Sequence, residues 1–270
     1  MTTTQKIIKY CAIGLAIVLS ISIIVGIAGV IEMIFSIGKD DSLLDSIVDI
    51  EISQDIKSLY IEIDASELKI VEGETFSLGS NIKDLKVKES NGKLSIIHNP
   101  NKVIINSKKS AEIVLTIPSN ARFELVTIEA GAGDINIDKL VAKKMEFGFG
   151  AGKVNIEYIY AEYGAELEAG AGKLAIGSGY IRDLKLDLGV GDTSICANLK
   201  GHNDINCGVG KTNLTVCGDR SDYIVNVETG IGSVKLDGST IKGSATIGDG
   251  DNEINVDGGV GSINIRFEND

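Results

Sequence analysis

Two glycines followed by lysine and threonine, at 208–212 within CGVGKTNL, have the composition of a loop that binds nucleotide phosphates. Such a loop needs Gly-x-x-x-x-Gly-Lys-Thr and then a helix whose N-terminal amides face the phosphate. The required first glycine falls on Ile205, and the residues after Thr212, NLTVCG, alternate like a strand. The sequence therefore predicts that this protein binds no nucleotide and uses no nucleotide cofactor.

A column of acidic residues precedes glycine pairs of the form Gly-x-Gly, which recur along the chain. Five repeats have an acidic residue two positions before the pair, and two further repeats have Gly148 and Asn206 there. The acidic residues are Glu129, Glu168, Asp187, Glu228 and Asp257. Stacked carboxylates repel one another. Such a column either prevents this solvated face from associating with other copies of the protein, or binds divalent cations, cationic peptides or a basic protein surface. Two residues earlier on the same predicted face lie Glu146, Glu166 and Asp204. We define the acidic stripe as Glu129, Glu146, Glu166, Glu168, Asp187, Glu228 and Asp257.

Metal-binding patterns are absent from the sequence. Calcium-binding repeats place Asp after the glycines, where this chain has Lys153, Lys173 and Lys211. The acidic segment GDGDNEINVDGG at 248–259 lacks the Gly and Glu spacing of an EF-hand loop. Zinc would need paired ligands, and His98 and His202 lie far apart in the sequence. No metal and no cofactor is predicted.

Three cysteines fall within the repeats. Cys207 shares an apolar column with Leu188 and Ala169, which predicts that it is buried. Cys196 and Cys217 point outward, but they are offset by two positions between neighbouring repeats. Diagonal neighbours are about 7–8 Å apart, beyond comfortable reach of a disulfide. The pattern therefore does not favour a bridge between them.

The N-terminus contains a long uncharged apolar segment. Residues 11–31, CAIGLAIVLSISIIVGIAGVI, are long enough to cross about 30 Å of hydrocarbon as a helix. Lys6 and Lys9 precede it, and cationic residues favour the cytoplasmic side. We predict a cytoplasmic N-terminus at 1–10, a single transmembrane helix within 11–37, a linker at 38–55 and an extracytoplasmic C-terminal domain in the cell membrane. A cleaved signal peptide ending near GIAG at 26–29 is the alternative.

An internal repeat organises the second half of the chain. The pairs begin at intervals of 19, 20, 19, 19 and 22 residues from Gly131, with a variant at Gly248. A fixed period near 20 indicates a stacked array of small units. The predicted corner glycines are Gly131, Gly133, Gly150, Gly152, Gly170, Gly172, Gly189, Gly191, Gly208, Gly210, Gly230, Gly232, Gly259 and Gly261.

Apolar columns flank every corner. Four residues after the second glycine stand Ile137, Ile156, Ile176, Ile195, Leu214, Leu236 and Ile265. Three residues before the first glycine the repeats are also wholly apolar, and the residue inside each pair is Ala, Val or Ile. If that residue faces inward, the next buried position follows after three steps rather than two. We therefore expect the inward register to slip by one at a corner that glycine makes accessible.

These alternating segments predict an all-β fold. Each repeat is a strand, a glycine corner, a second strand and a turn, and no proline follows Pro118 to interrupt the ladders. The economical architecture is a single-stack β-solenoid, or β-helix, over 56–270, placed after the N-terminal transmembrane helix. Residues 56–126 carry less regular strand signals and are predicted to form the opening rungs and a cap.

The repeat units GAGDINI, GAGKVNI, GVGKTNL and GGVGSINIRFE, with VLTIP at 114–118, resemble a bacterial family of candidate adhesins with β-strand repeats, a family of unknown function. The resemblance covers about 56–270. Some relatives look like membrane-anchored accessories of Gram-positive envelope-stress systems, so the resemblance implies a role at the cell surface. It implies no catalytic residues.

Net charge and aromatic content argue against two classes of partner, nucleic acids and sugars. The formal net charge is −12 with a pI of 4.7, which argues against nucleic acid as a partner. Aromatic residues make up 5% and Trp is absent, whereas sugar-binding platforms generally use aromatic rings. We therefore predict a non-enzymatic structural or interaction protein of the cell envelope, whose partner is the membrane together with an envelope protein, peptide or surface ligand. A cation- or peptide-binding module and a carbohydrate-active enzyme are the alternatives.

Overall fold

The computed structural model describes residues 43–99 and 110–269, so the predicted anchor at 11–37 lies outside the described residues. They form seventeen strands and one turn of 3-10 helix, Arg220–Asp222. No helix in these two ranges is long and apolar enough to span a bilayer. The strands are β1 Leu43–Ile50, β2 Ser58–Ala65, β3 Glu67–Gly73, β4 Ser77–Ile82, β5 Lys86–Ser90, β6 Lys93–His98, β7 Glu112–Pro118, β8 Phe123–Arg182, β9 Leu184–Lys200, β10 His202–Asn206, β11 Val209–Cys217, β12 Tyr223–Glu228, β13 Ile231–Leu236, β14 Ser239–Ile241, β15 Ser244–Ile247, β16 Asn252–Asp257 and β17 Val260–Glu268.

Parallel pairing between successive repeats builds two adjoining faces. Each repeat forms a rung that runs through the first face, turns at a Gly-x-Gly corner and continues into the second face. On the first face Glu168 of β8 lies beside Asp187 of β9, and on the second Ile176 lies beside Ile195. Neighbouring rungs are therefore about 4.8 Å apart. The all-β prediction is confirmed, and the arrangement is solenoid-like.

The predicted apolar columns fill the space between the faces. Ile137, Ile156 and Ile265 are almost inaccessible to solvent, and the remaining members of their column are also buried. The first-face column is buried from Ile61 through Val227. Because each inward residue stacks on its equivalent in the next rung, the core is a set of continuous ladders.

Antiparallel strands cover both ends of the parallel array. At one end β5 pairs with β6, β4 pairs with β7, and β1 pairs with β4. At the other end β15 pairs with β12 and β14 pairs with β13. The sequence predicts a linker at 38–55, whereas the structure places strand β1 within that range. Its pairing with β4 explains the difference, since Leu43 and Ile50 lie opposite Ile82 and Leu78.

The last rung in sequence lies between the two rungs that precede it. Strand β16 pairs with β10 on one side and β12 on the other, and β17 pairs likewise with β11 and β13. The spatial order of the final corners is therefore Gly208, Gly259, Gly230. The variant pair at Gly248 forms no corner, because it lies in the connection between β15 and β16.

A polar cluster holds the inserted rung in register. Asn203 Nδ2 donates to the carbonyl oxygen of Glu253 over 3.0 Å, and Asn226 Nδ2 donates to Glu253 Oε1 and Asn255 Oδ1 over 2.8 Å each. His202 Nδ1 lies 2.8 Å from Glu253 Oε2, and its Nε2 lies 3.2 Å from Asp204 Oδ1. These contacts join β10 and β12 to β16 from its two sides.

His202 makes this junction sensitive to pH. The hydrogen bond to Glu253, with the charges of Asp204, Glu253 and Asp183, raises the pKa of His202 above its ordinary value near 6.5. A raised folded-state pKa stabilises the fold fully below the unfolded pKa, and the contribution is lost as the pH rises through the folded pKa. We expect His202→Gln to lower the free energy of unfolding by about 0.5 kcal/mol at pH 5.5, because the site is exposed, and by nothing measurable at pH 9.

Urea denaturation of both proteins at the two pH values measures this difference. Glu253→Gln is the matched control, because it removes the anionic partner and leaves His202 in place. It should abolish most of the pH dependence that His202 contributes. A destabilisation by His202→Gln of equal size at pH 5.5 and pH 9 would contradict the assignment.

Candidate functional site

The acidic stripe lies on the outer surface of the first face. The register places Asp187 beside Glu168 and Asn206, Asn206 beside Asp257, and Asp257 beside Glu228. The column also continues beyond the repeats, because Glu62 of β2 lies beside Glu129. Sequence comparison of the repeats missed Glu62, although the alternation in YIEIDA around it is the signal that places its side chain on the outer face.

Three members of the acidic stripe, Glu146, Glu166 and Asp187, are already paired with lysine. Glu146 accepts a hydrogen bond from Lys144 over 2.6 Å, and Glu166 accepts one from Lys185. Lys185 also lies 3.7 Å from Asp187, whose second oxygen accepts from Asn206 over 2.6 Å. The Glu146 and Glu166 carboxylates, which lie two residues earlier than the main column, are therefore largely neutralised by the protein itself.

The column two residues before the glycine pairs keeps more of its negative charge. Within 43–99 and 110–269, Glu129, Glu168, Glu228 and Asp257 form no ion pair. A Cβ at Gly148 would approach Glu129 Oε2 to 2.3 Å, so the missing side chain gives the Glu129 carboxylate room to lean over that rung. Partial burial raises the pKa of Glu129, and the charges of Glu168, Glu62 and Glu146 raise it further. A cation bound there would relieve this repulsion.

Corner glycines form a track without side chains beside the stripe. A Cβ at Gly189 would lie 2.1 Å from the carbonyl oxygen of Gly170 in the next rung, so the first glycine of a pair permits close approach of backbones. The second glycines have φ between 134° and 147°, a conformation that favours glycine. Four of the first glycines, from Gly131 to Gly189, floor a shallow groove of about 830 Å³ that is lined by Tyr60, Glu62, Glu129, Glu168, Asp187 and neighbouring backbone.

The residues inside the glycine pairs line the far side of that track. We call Ala132, Ala151, Ala171, Val190, Val209, Val260 and Ile231, in their spatial order, the corner ridge. The sequence suggests that they face the core, and the structure shows the reverse. Val190 is 58% exposed, Val209 48%, Val260 44% and Ile231 75%. They are exposed at the corner, whereas neighbouring Leu174 is buried and Leu188 packs against the core.

Among the described residues, the geometry does not support the other candidate sites: a nucleotide loop, a metal site and a reactive Cys207. Gly210 and Lys211 lie within β11, which continues as a strand to Cys217, so no helix N-terminus faces this glycine pair. Glu253 of the 248–259 segment is engaged with His202 and Asn226. In the part of the chain that the structure describes, no three His, Cys, Asp or Glu side chains are grouped as metal ligands. Burial raises the pKa of the Cys207 thiol, which disfavours its reactive thiolate form.

An array of stacked β-rungs with a long outer groove defines the chain as a β-repeat protein of the kind that presents an extended surface. More particularly, the chain belongs to the Toastrack DUF4097 family, whose family model matches residues 47–268. The resemblance to candidate adhesins is thereby confirmed at the level of the family.

Solved structures similar to this chain carry related descriptions. A candidate cell adhesion protein from Clostridium sporogenes is 15% identical, with a TM-score of 0.38, and the match covers 83% of this chain and 99% of that chain. A candidate adhesin from Bacteroides fragilis is 14% identical, with a TM-score of 0.40, covering 85% and 100%. No curated protein sequence matches this chain significantly.

Proposed function

We propose that this protein is a membrane-anchored, extracytoplasmic interaction module of the bacterial cell envelope, and that it binds a cationic, amphipathic partner. The proposal rests on one observation. The first glycines form a groove floor between a column of carboxylates and the exposed apolar corner ridge, and several of these carboxylates have no ion pair within the described residues. Exposed apolar surface beside charge marks interaction sites on soluble domains. The uncharged segment 11–31 after Lys6 and Lys9 supports the anchored orientation.

The geometry favours a rod-shaped partner segment. The groove is lined by five rows from Glu62 to Asp187, each about 4.8 Å apart, so it extends over about 19 Å. A helix of about 13 residues has that length. If such a helix lies along the groove, one of its faces meets the corner ridge and the adjacent face meets the carboxylates. The partner therefore presents an apolar stripe with Lys or Arg beside it.

Charge supports the same choice of partner. Lys6, Lys9 and Glu32 are the charged residues before position 39, so the remainder carries 24 Lys and Arg against 37 Asp and Glu. An acidic surface attracts a cationic segment over roughly a Debye length, about 8 Å at physiological salt, and accelerates its association. Burial of apolar side chains on the corner ridge then holds the segment in place.

We expect Glu168→Lys combined with Asp187→Lys to weaken binding of a helical leucine–lysine peptide at least tenfold, about 1.4 kcal/mol. The two changes reverse the charge at two of the carboxylates that line the groove, where the peptide ammonium groups lie. The full chain is isolated from the membrane fraction in a neutral detergent, its intact mass is recorded to establish that the anchor is uncleaved, and binding is measured by calorimetric titration at 150 mM and 500 mM salt.

The matched control is Asp249→Lys combined with Asp251→Lys, which changes the net charge equally at exposed positions outside the groove. It should bind the peptide nearly as tightly as the parent protein. Val190→Ser with Val209→Ser removes part of the corner ridge and should weaken binding with little change in salt dependence. If the groove variant and the control variant lose peptide affinity equally, the loss comes from the change in net charge alone, and the proposed site is overturned. Calcium binding without peptide binding would replace the proposal with a cation-binding function.

A further inference from the structure

The thiols of Cys196 and Cys217 meet on the outer surface of the second face. Their Sγ atoms are 3.5 Å apart, although the residues belong to neighbouring rungs in β9 and β11. Cys196 lies directly opposite Thr215, so Cys217 is its diagonal neighbour. Sequence spacing therefore predicts a separation too large for a disulfide, whereas the side chains turn towards each other and remove most of that separation.

Both thiols are partly accessible, which a reagent needs in order to reach them. Cys196 and Cys217 are half-buried on the outer side of their strands. Cys207 is also half-buried, but its side chain packs against the hydrophobic core, and burial raises its pKa. The repeats thus contain a close pair of half-buried thiols on the outer surface and a third thiol, packed against the core, to compare with it.

We propose that Cys196 and Cys217 are a redox site that forms a reversible disulfide between two rungs. The oxidant is a low-molecular-weight or protein disulfide. One cysteine thiolate attacks a sulfur of that disulfide and releases one thiol of the oxidant, which leaves a mixed disulfide on the protein. The second cysteine thiolate attacks the protein sulfur of the mixed disulfide and releases the other thiol. The protein loses two electrons and two protons, and the oxidant gains them as two thiols.

The position of Cys217 allows the remaining gap to close. A disulfide needs its sulfurs about 2.05 Å apart, so the end of β11 must move slightly towards β9. Cys217 is the last residue of β11, and Gly218 follows it with a φ of 147°. Diagonal placement leaves the closed bond strained, and strained disulfides are more easily reduced. The site is therefore a reversible one rather than a permanent bridge.

The bond would act where the order of the rungs changes. Strand β11 carries the inserted strand β17 on its other side. A link from Cys217 to Cys196 closes a loop across 21 positions and reduces the conformational freedom of the unfolded chain. Oxidation would thus stabilise the rung on which the C-terminal rung rests.

Tryptic mapping identifies the bond directly, because the three cysteines of the repeats fall in three different peptides. Cys196 lies in 186–200, Cys207 in 201–211 and Cys217 in 212–220. The full chain in detergent is incubated with oxidised glutathione, alkylated after unfolding, and digested. We expect 186–200 linked to 212–220, with a mass two hydrogens below the sum of the peptides, and 201–211 alkylated. Dithiothreitol should separate the linked pair.

A thermal measurement tests whether the bond belongs to the native fold. Oxidised protein should melt roughly 5 °C or more above reduced protein, whereas Cys196→Ser and Cys217→Ser should melt equally under both conditions. Cys207→Ser should keep the redox-dependent shift. The proposal is overturned if the linked peptide is absent in excess oxidant, if 201–211 is linked as often as the other two peptides, or if oxidation leaves the melting temperature of the parent protein unchanged.

Discussion

Replacing Gly191 by alanine is expected to lower the free energy of unfolding by about 3 kcal/mol or more. A Cβ there would lie 1.8 Å from the carbonyl oxygen of Gly172 in the adjacent rung, where backbone and not a flexible side chain blocks it. The residue also has a φ of 147°, which side-chain-bearing residues rarely adopt. Relief would require separation of the rungs at the corner, and with it the loss of neighbouring ladder hydrogen bonds. Urea denaturation followed by circular dichroism measures the change.

Gly164→Ala is the matched control within the same array. The nearest atom to its added Cβ is the carbonyl oxygen of Asp183 at 3.9 Å, an ordinary contact, and its φ does not fall in the region that favours glycine. We expect this substitution to change the free energy of unfolding by less than about 1 kcal/mol. If Gly191→Ala destabilises no more than Gly164→Ala, close backbone approach does not hold the corner together.

Most of the architecture can be predicted from the sequence because it depends on local alternation. Apolar residues at Ile137, Ile156 and their equivalents recur at a fixed distance from a glycine pair, and only an extended strand with one buried face explains that spacing. Identical spacing in successive repeats then predicts parallel stacking. The outer position of Glu168 and Asp187 follows from the same alternation, since they stand next to buried Leu167 and Leu186.

The direction of the corner residues could not be predicted in the same way. Alternation assigns a side chain to a face only while the backbone remains a regular strand, and the corner interrupts it at two glycines. Val190 and Ile231 are apolar, so composition favours the core, yet the vertex of the bend places them in solvent. The interaction surface that we propose therefore depends on a feature that only the structure reveals.

The order of the last rungs could not be predicted for a different reason. The repeats share their glycine pairs and apolar columns, so several pairings between rungs satisfy the same pattern. What distinguishes them is a set of long-range polar contacts, such as Asn226 with Glu253 and Asn203 with the Glu253 carbonyl. Asn and Glu on an outer face carry no signal in the sequence that identifies their partners.

Deletion of residues 252–270 is expected to unfold residues 223–247 as well. Among the described strands, β12 pairs with β15 and β16, and β13 pairs with β14 and β17. Strands β12–β15 are therefore joined to the rest of the array through the C-terminal rung. The ring of Tyr223 and the guanidinium of Arg220 also pack on Phe267, which the deletion removes. Hydrogen exchange measured by mass spectrometry should show protection in 223–247 falling by a factor of about 10³ or more.

A chain that ends at residue 217 is the comparison that makes this test decisive. If β12–β15 depend on the C-terminal rung, then the chains ending at 217 and at 251 have the same folded part, and their melting temperatures should agree within about 2 °C. If the rungs were instead stacked in sequence order, β12 and β13 would lie directly on β10 and β11. The chain ending at 251 would then keep protection in 223–247 and melt above the shorter chain. That result would contradict the inserted position of β16 and β17, whereas equal melting and lost protection follow from it.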